Sequence, residues 1–515
     1  MTGRHDQEAA TPSVWLDGAE PLGRRRSRSV PNRADVVVVG GGLAGVCTAA
    51  LCARDGASVV LIEAGTIASR TTGHSTAKLT ALHGLTYDSL RRGKSAEDAA
   101  RYAQANNRAV ADLRSLIERA GAGDAIRNAP SYTCAATPNG VPAVEREAAA
   151  AIEAGLPVRL VETTELPLHV EAAVVLDDQA EIDPVAATRG ILRLASTDGI
   201  TVIQNTRVRA VREFRKECLV ITDGFELRCD AAVLATHLPI TDPAFLSGRV
   251  RPSRSYVVAG PSDAPTPVGM YIAHDAGWSV RSALRGDDAV MLVGGQDHPM
   301  TDHVEGDDHY RTLGEFAGQH LGVRVTHQWS AFDYMPSDGV PFIGPLAPGS
   351  SRRFVATGFR KWGMSTAMVA ATIISDRLAG RPNDYAATFD STRVLPTVTK
   401  DLARTSLAVT SCYVGDRVAG HVRSNTAELG NGEGRIVGRG TKLVAVSRSV
   451  DGVVRTVDAR CTHLGCIVRH NRAEQTWDCP CHGSRFALDG SVIDGPASDD
   501  LRSLPGPRLE TADTD

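Results

Sequence analysis

The first strong hydrophobic pattern is Asp35-Val36-Val37-Val38-Val39, a continuous β-branched run of the kind a strand buried on both faces carries. An alanine-rich helix is predicted over 46–53, and a second strand over 58–62 ends at Glu63. Helical periodicity returns over 96–118, and Val290-Met291-Leu292-Val293 reads as a strand. Near the C-terminus, 443–447 and 453–457 flank Asp451-Gly452, a hairpin signal. The glycine-rich 430–440 predicts turns, and residues 1–33, rich in Pro, Arg and Ser, predict an exposed arm.

A chain of 515 residues predicts two to four domains. With 42% hydrophobic and 23% charged residues, a mostly disordered or collagen-like chain is excluded. The net charge of −4 gives no basic excess to attract nucleic acid or an anionic membrane. Val36 to Ala53 is 18 residues without a charge, nominally enough for a membrane span, and it follows Arg24-Arg25-Arg26, as an export signal would. Gly40, Gly41, Gly42 and Gly45 break that run early, and strand, turn and helix account for all of it, so a cytoplasmic protein is expected. Of ten cysteines, Cys461, Cys466, Cys479 and Cys481 fall within 21 residues; such clustering points to a metal site rather than a spread disulfide framework.

The first strand runs directly into Gly40-Gly41-Gly42-Leu43-Ala44-Gly45, a G-x-G-x-x-G turn that opens the helix. Gly40 permits the tight turn, Gly42 lets a pyrophosphate approach the backbone, and Gly45 lets helix and strand pack closely. The helix N-terminus offers free N–H groups and a positive dipole end. Glu63 lies 21 positions after Gly42, where an acid binds a ribose hydroxyl, which favours FAD or NAD over NADP. The hydroxyl-rich Arg70-Thr71-Thr72-Gly73-His74-Ser75-Thr76-Ala77-Lys78 suits a backbone lying over a flavin.

These blocks, with Val233-Leu234-Ala235-Thr236-His237, the stretch from Trp329 through Asp333-Tyr334 to Asp338-Gly339, and Thr357-Gly358-Phe359-Arg360-Lys361-Trp362-Gly363-Met364, resemble the FAD-dependent oxidoreductases of the glycine-oxidase and D-amino-acid-oxidase type. The resemblance spans 34–393. It implies an α/β FAD-binding Rossmann-like domain (pieces 34–85, 170–240 and 325–393) interleaved with an α+β substrate domain (86–169 and 241–324). It implies FAD contacts at Gly40, Gly42, Gly45, Glu63, Thr71, Thr72, Thr76, Ala77, Thr236, Gly358, Trp362 and Gly363. Some members attach FAD through a cysteine where this chain has Phe332, so FAD held without a covalent bond is expected.

Cys461-Thr462-His463 and Cys479-Pro480-Cys481-His482 form C-x-H, fifteen residues, C-x-x-H. A zinc site would leave Cys466 and Cys481 without a role. The boxes resemble the Rieske 2Fe–2S domain, here placed at 406–510 as a small all-β module after a linker at 394–405. The resemblance implies that Cys461 and Cys479 hold one iron, that His463 and His482 hold the other, and that Cys466 and Cys481 form a disulfide. It also matches Ser484 to a hydroxyl that hydrogen-bonds the cluster, Gly495-Pro496-Ala497 to the covering loop, and Phe486 to a position that is Tyr in high-potential members. Cys412 matches no ligand position, and the other five cysteines read as buried apolar residues. His298 and His303 form an H-x4-H pair that could hold a mononuclear iron, but no clear helix frames it and a polar loop is expected.

Three functions follow. The first is an enzyme in which a small amine or amino acid reduces FAD and electrons pass through the cluster to an acceptor. Arg281, Arg360 and Lys361 are candidates to grip a substrate carboxylate, with His237 and Tyr334 as weaker candidates. The second reverses the flow, with the cluster feeding FAD; the third is an electron-transfer or redox-sensing module without a small substrate. The first is the reading adopted.

Overall fold

The computed structural model describes residues 11–19, 30–285, 288–302, 306–394, 429–439 and 442–505. Arg24 to Arg26, His303, Cys412 and the segment 395–428, which holds most of the expected linker and the start of the expected Rieske module, lie outside the described residues.

Strand β1 (Arg33–Val39) runs parallel to β2 (Val59–Ile62) on one side and to the strand Glu226–Leu234 on the other. Val36 to Val39 are all buried, as a strand covered on both faces requires. The sheet continues through Thr201–Ile203 beyond β2 and through Arg353–Thr357 beside Glu226–Leu234, both parallel. Helix α1 (Leu43–Arg54) packs against the helices Pro184–Thr197 and Gly363–Leu378. The central parallel strands end at one rim, where Gly40, Glu63 and Ala235 follow them; open α/β sheets bind ligands at such a rim.

A second eight-stranded sheet carries, in spatial order, His327–Pro336, Val250–Gly260, Asp288–Pro299, Trp278–Arg285, Met270–Ala273, Ser131–Ala135, Ala172–Leu176 and Arg159–Val161. Between the two sheets lies a small seam of β3 (Lys78–Leu79), Ala180–Ile182 and Ile126–Asn128. The C-terminal module has two small antiparallel sheets around a core containing Trp477, Phe486 and four cysteines. Among the described residues, no helix is long and apolar enough to cross a membrane.

Several expectations change here. Ala172–Leu176 and His327–Pro336, expected in the FAD pieces, are ladder members of the second sheet, because a strand's partners decide its sheet and its own sequence does not. The expected turn region 430–440 contains a strand, Glu433–Arg439, and Gly434 leaves room for the His470 ring lying against it. The strand read over 290–293 runs on to Pro299, so His298 is a strand residue rather than part of a loop. Its Nδ1 faces the Pro299 carbonyl at 2.9 Å and its Nε2 the Tyr256 hydroxyl at 3.2 Å, so both ring nitrogens are engaged within the protein.

The N-terminal arm is buried at Ser13, Val14 and Trp15 rather than exposed along its whole length. Val14 and Trp15 are buried, Trp15 Nε1 donates to the Ser75 carbonyl at 2.8 Å, and Ser13 bonds the Gly73 carbonyl. The arm clamps the hydroxyl-rich segment from outside.

Asp338 ties the far end of this module. It accepts from Arg393 Nε and Nη2 at 2.8 and 2.9 Å, and Lys94 Nζ lies 2.8 Å away. Burial pushes its carboxyl up, but Arg393 and then Lys94 outweigh burial and hold it at about 2. A depressed carboxyl stabilises above its unfolded value and loses that stability as pH falls through the folded one. The contribution, about 2 kcal/mol, is therefore expected to be constant above about pH 5 and to vanish between about pH 4 and 2. Urea unfolding of wild type and Asp338→Asn across that range tests it; a gap that persists undiminished at pH 2 contradicts it.

Candidate functional site

Two glycines of the β1–α1 turn are fixed by backbone. A Cβ on Gly40, whose φ is +109°, would strike the Ala235 carbonyl, and one on Gly45 would strike the Gly40 carbonyl. At Gly42 the nearest atom to such a Cβ is Thr72 Oγ1 at 3.1 Å, so the turn's second glycine faces the Thr72 hydroxyl instead of backbone. That hydroxyl accepts from Leu43 N at 3.0 Å, which ties the expected flavin segment to the first turn of α1. The Glu63 carboxylate accepts from Gly41 N at 2.6 Å and Gly65 N at 2.7 Å.

Gly40, Gly42, Glu63, Thr71 and Thr72 line one part of a cavity of about 940 Å³. Thr76, Thr236, Gly358, Trp362 and Gly363 line the same cavity. Gly45 and Ala77 are not on its wall; Gly45 acts through helix packing and Ala77 through the backbone. A cavity of this size, a glycine turn at a helix N-terminus and a wall of threonines fit an FAD.

The backbone around this cavity is strained. Ala77, His237, Arg360 and Lys361 have φ of +55°, +66°, +55° and +68°, and such conformations persist where neighbours over-determine them. Arg281 is one such neighbour. Its Nη1 donates to the carbonyls of Thr76 at 2.9 Å and Ala77 at 2.6 Å, and Nε to Ser282 O at 2.9 Å. Arg281 is thus a buried clamp under Thr76–Ala77 and is absent from the cavity wall, contrary to the carboxylate grip expected of it.

Arg360 and Lys361 do line the cavity. Lys361 pairs with Asp297 at 2.9 Å, whereas Arg360 donates to the Gly339 carbonyl at 2.7 Å and has no acidic partner among the described residues. His237 also lines it; Nε2 meets Asp333 Oδ1 at 2.9 Å and Nδ1 lies 3.4 Å from Thr71 Oγ1. Tyr334 is not on the wall; it points at the C-terminal module.

In that module the Cys461 and Cys479 thiols lie within hydrogen-bonding reach of each other. The rings of His463 and His482 are 5.1 Å apart, and both Nδ1 atoms are buried without a partner. A pair of thiols within reach of each other and a pair of neighbouring imidazoles with orphaned nitrogens fit a two-Cys, two-His iron–sulfur cluster. Cys466 and Cys481 form a disulfide with a Cα–Cα separation of 6.7 Å. The Ser484 hydroxyl accepts from Ala497 N at 3.0 Å, which holds the expected covering loop in place. Trp477 opposes Phe486, and Cys479 N donates to Ser484 O, so strand alternation puts Phe486 on the face of Cys479 and Ser484.

The module is docked on the cavity. Ile493, Asp494, Gly495 and Ala497 form part of its wall. Tyr334 donates to the His482 carbonyl at 2.7 Å, and a Cβ on Gly483 would lie 2.7 Å from the Phe332 ring. A buried ionic group locks this contact. Arg254 donates to Asp478 at 2.6 Å, Arg485 to Asp478 at 3.2 Å, and Arg485 also pairs with Glu474.

The signal for this group was absent from the sequence, since Arg254 lies more than two hundred positions from Glu474, Asp478 and Arg485. Lys78 and His83 also line the cavity; Lys78 was read only as part of the backbone segment over the flavin, and His83 belongs to no motif. His83 stacks on Trp362 at 4.5 Å, and burial pushes it down to about 3.

The family described as FAD dependent oxidoreductase (DAO) matches residues 35–377, and the Rieske [2Fe-2S] domain matches 421–505. A relative named for a Rieske 2Fe-2S centre, YhfW of Bacillus subtilis (strain 168), is 29% identical over 98% of this chain and 99% of its own. Glycine oxidase from Geobacillus kaustophilus superposes with a TM-score of 0.60 at 19% identity, covering 71% of this chain and 100% of its own. L-proline dehydrogenase from P. horikoshii gives 0.57 at 18% identity, covering 71% and 98%. Since the first family model accounts for most of the chain and the cradle and cluster geometry agree with both matches, the chain belongs to the FAD dependent oxidoreductase family, with a Rieske [2Fe-2S] domain at its C-terminal end.

Proposed function

We propose that the protein oxidises a small amine or amino acid in the cavity and passes the electrons through the Rieske centre to a separate acceptor. The bound FAD supplies a two-electron acceptor and the cluster a one-electron carrier. The observation that carries this reading is the docking: Ile493, Asp494, Gly495 and Ala497 form part of the cavity wall, and Ala497 N donates to Ser484, two residues from the proposed cluster ligand His482. From that wall, Phe332 abuts Gly483, and the Tyr334 ring lies 4.6 Å from His237 while its hydroxyl holds the His482 carbonyl. Packed groups of this kind make a short path from the cavity to a cluster ligand.

Within the cavity, Arg360 supports carboxylate recognition, because a cation without an acidic partner is available to an anionic substrate. The named activities of the glycine oxidase and L-proline dehydrogenase relatives favour the same substrate class. Anaerobic addition of amines and amino acids, followed by visible absorbance and electron paramagnetic resonance, is the test. The expected result is flavin bleaching together with a reduced-cluster signal; bleaching with the cluster left oxidised sinks the electron route.

Two further outcomes are expected. FAD should be released by acid precipitation, because Phe332 offers no nucleophile for a covalent link; yellow colour kept in the pellet contradicts this. Phe486→Tyr should raise the cluster potential, since a phenol on that face donates to a ligand sulfur and stabilises the reduced, more negative cluster. A charge-assisted hydrogen bond of roughly 1.5–3 kcal/mol corresponds to a shift on the order of 100 mV for one electron. A redox titration of the whole protein that gives an unchanged or lower potential would place the ring elsewhere.

A further inference from the structure

Lys78 is a buried lysine without an ion pair among the described residues. It belongs to β3, in the seam between the two sheets, and it lines the cavity. Its Nζ reaches only two neutral oxygens, Thr76 Oγ1 at 3.1 Å and Ser279 Oγ at 3.2 Å, and it makes no ion pair among the described residues. The two nearby acids each face another cation. Glu181 pairs with Arg127 and lies 3.8 Å from Arg281, and Asp297 pairs with Lys361. Opposite Lys78 on the paired strand stands Glu181, while a second cation, Arg281 of the second sheet, sits under the carbonyls of Thr76 and Ala77 just before Lys78. Burial beside a fixed guanidinium disfavours an ammonium, which is how enzymes make a lysine basic near neutrality.

We propose that Lys78 is the base that takes a proton from the substrate's ammonium group before oxidation. This rests on the amine or amino-acid reading above. A hydride can leave the substrate carbon only when the nitrogen has a free lone pair, and an amine of this class is an ammonium at neutral pH. In the step, one N–H bond of the substrate ammonium breaks and one N–H bond forms at Lys78 Nζ. The positive charge moves from substrate to lysine, no electrons are transferred, and the proton returns to water after turnover.

The neighbours set the pH. Burial, and then Arg281, push Lys78 down, while Glu181 and Asp297 pull it up, leaving it at about 7. Below that point the base is lost, so flavin reduction in wild type should fall tenfold per pH unit.

The test compares wild type, Lys78→Met and Lys78→Arg in the FAD- and cluster-loaded protein, by rapid anaerobic flavin reduction with a panel of amines and amino acids from pH 6 to 10. Both variants should keep their FAD and cluster spectra. Both should be slower by roughly 10²- to 10⁴-fold at pH 7, and should recover tenfold per pH unit toward the substrate's own ammonium pKa. A lysine of merely structural role would not give that altered profile, and arginine would replace it. As a readout independent of turnover, acylation of Lys78 in wild type by trace acetic anhydride, followed by peptide mass spectrometry, should show a midpoint at about 7. Lys78→Arg with wild-type rates and profile overturns the assignment, as does a labelling midpoint near the ordinary lysine value of about 10.4 or no labelling at any pH. If no amine or amino acid bleaches the wild-type flavin, the substrate reading falls and this assignment with it. Bleaching by wild type and by Lys78→Arg alike removes only the assignment.

Discussion

Gly45→Ala is expected to give protein that holds less than a tenth of the wild-type FAD, or that fails to accumulate folded. The added Cβ meets the Gly40 carbonyl, and that carbonyl belongs to the turn fixed in turn by Ala235. Neither contact is with the end of a flexible side chain, so relief requires α1 to move off β1. Overpacking of a rigid site costs about 1–3 kcal/mol and more where backbone cannot give. The same shift would misplace Gly42 and the first amides of α1, which form the cradle. Gly93→Ala is the control, since a Cβ there meets nothing within 4 Å. The ratio of flavin to protein absorbance reads the result; a Gly45→Ala protein with full FAD would mean that helix and strand separate cheaply.

Asp478→Asn is expected to destabilise by about 3–5 kcal/mol and to loosen the C-terminal module from its seat. Arg254 and Asp478 are both nearly inaccessible, and Arg254 donates to Asp478 at 2.6 Å. Burial pushes the Asp478 carboxyl up, but Arg254 and Arg485 overcome burial and hold it well below the usual carboxylate range. Neutralising it leaves Arg254 without its ion-pair partner, and Arg485 with Glu474 and the more distant Asp494. Asp478 also directly precedes Cys479, so cluster content should drop with stability. Asp499→Asn provides the contrast. Its pair with Arg209 is 70% exposed on the acid's side, and such pairs are worth at most about 1 kcal/mol. Thermal denaturation with iron analysis decides the matter, and an Asp478→Asn protein with an unshifted midpoint would show that the quartet does not hold the interface.

These two effects differ in how far the sequence foretells them. Gly45 is legible because the turn is local: strand, three glycines and helix follow one another within 20 positions, and the steric demand comes from neighbours in the chain. The proposed cluster ligands are legible for the same reason, since two short boxes carry both thiols and both imidazoles. Glu63 and the threonines of 71–76 needed only a spacing and a composition. The long helix Ala96–Arg119, capped by Ser95, was legible from periodicity.

What only the tertiary structure decided are the relations between distant segments. A strand's sheet is set by its partners, so Ala172–Leu176 and His327–Pro336 joined the second sheet although their sequences suit either. Arg281, expected to grip a substrate carboxylate, was instead placed by folding under the Thr76 and Ala77 carbonyls, and Trp15 looked exposed until the Ser75 carbonyl met its indole. Tyr334 turned toward His482 rather than the substrate for the same reason. Lys78 gained its meaning by burial beside Arg281 with no ion pair among the described residues, a desolvation that no local pattern encodes. Residue type and spacing settled which cofactors this chain is built to hold; which side chains face them depended on contacts across hundreds of positions, because burial and charge pairing are properties of the packed chain.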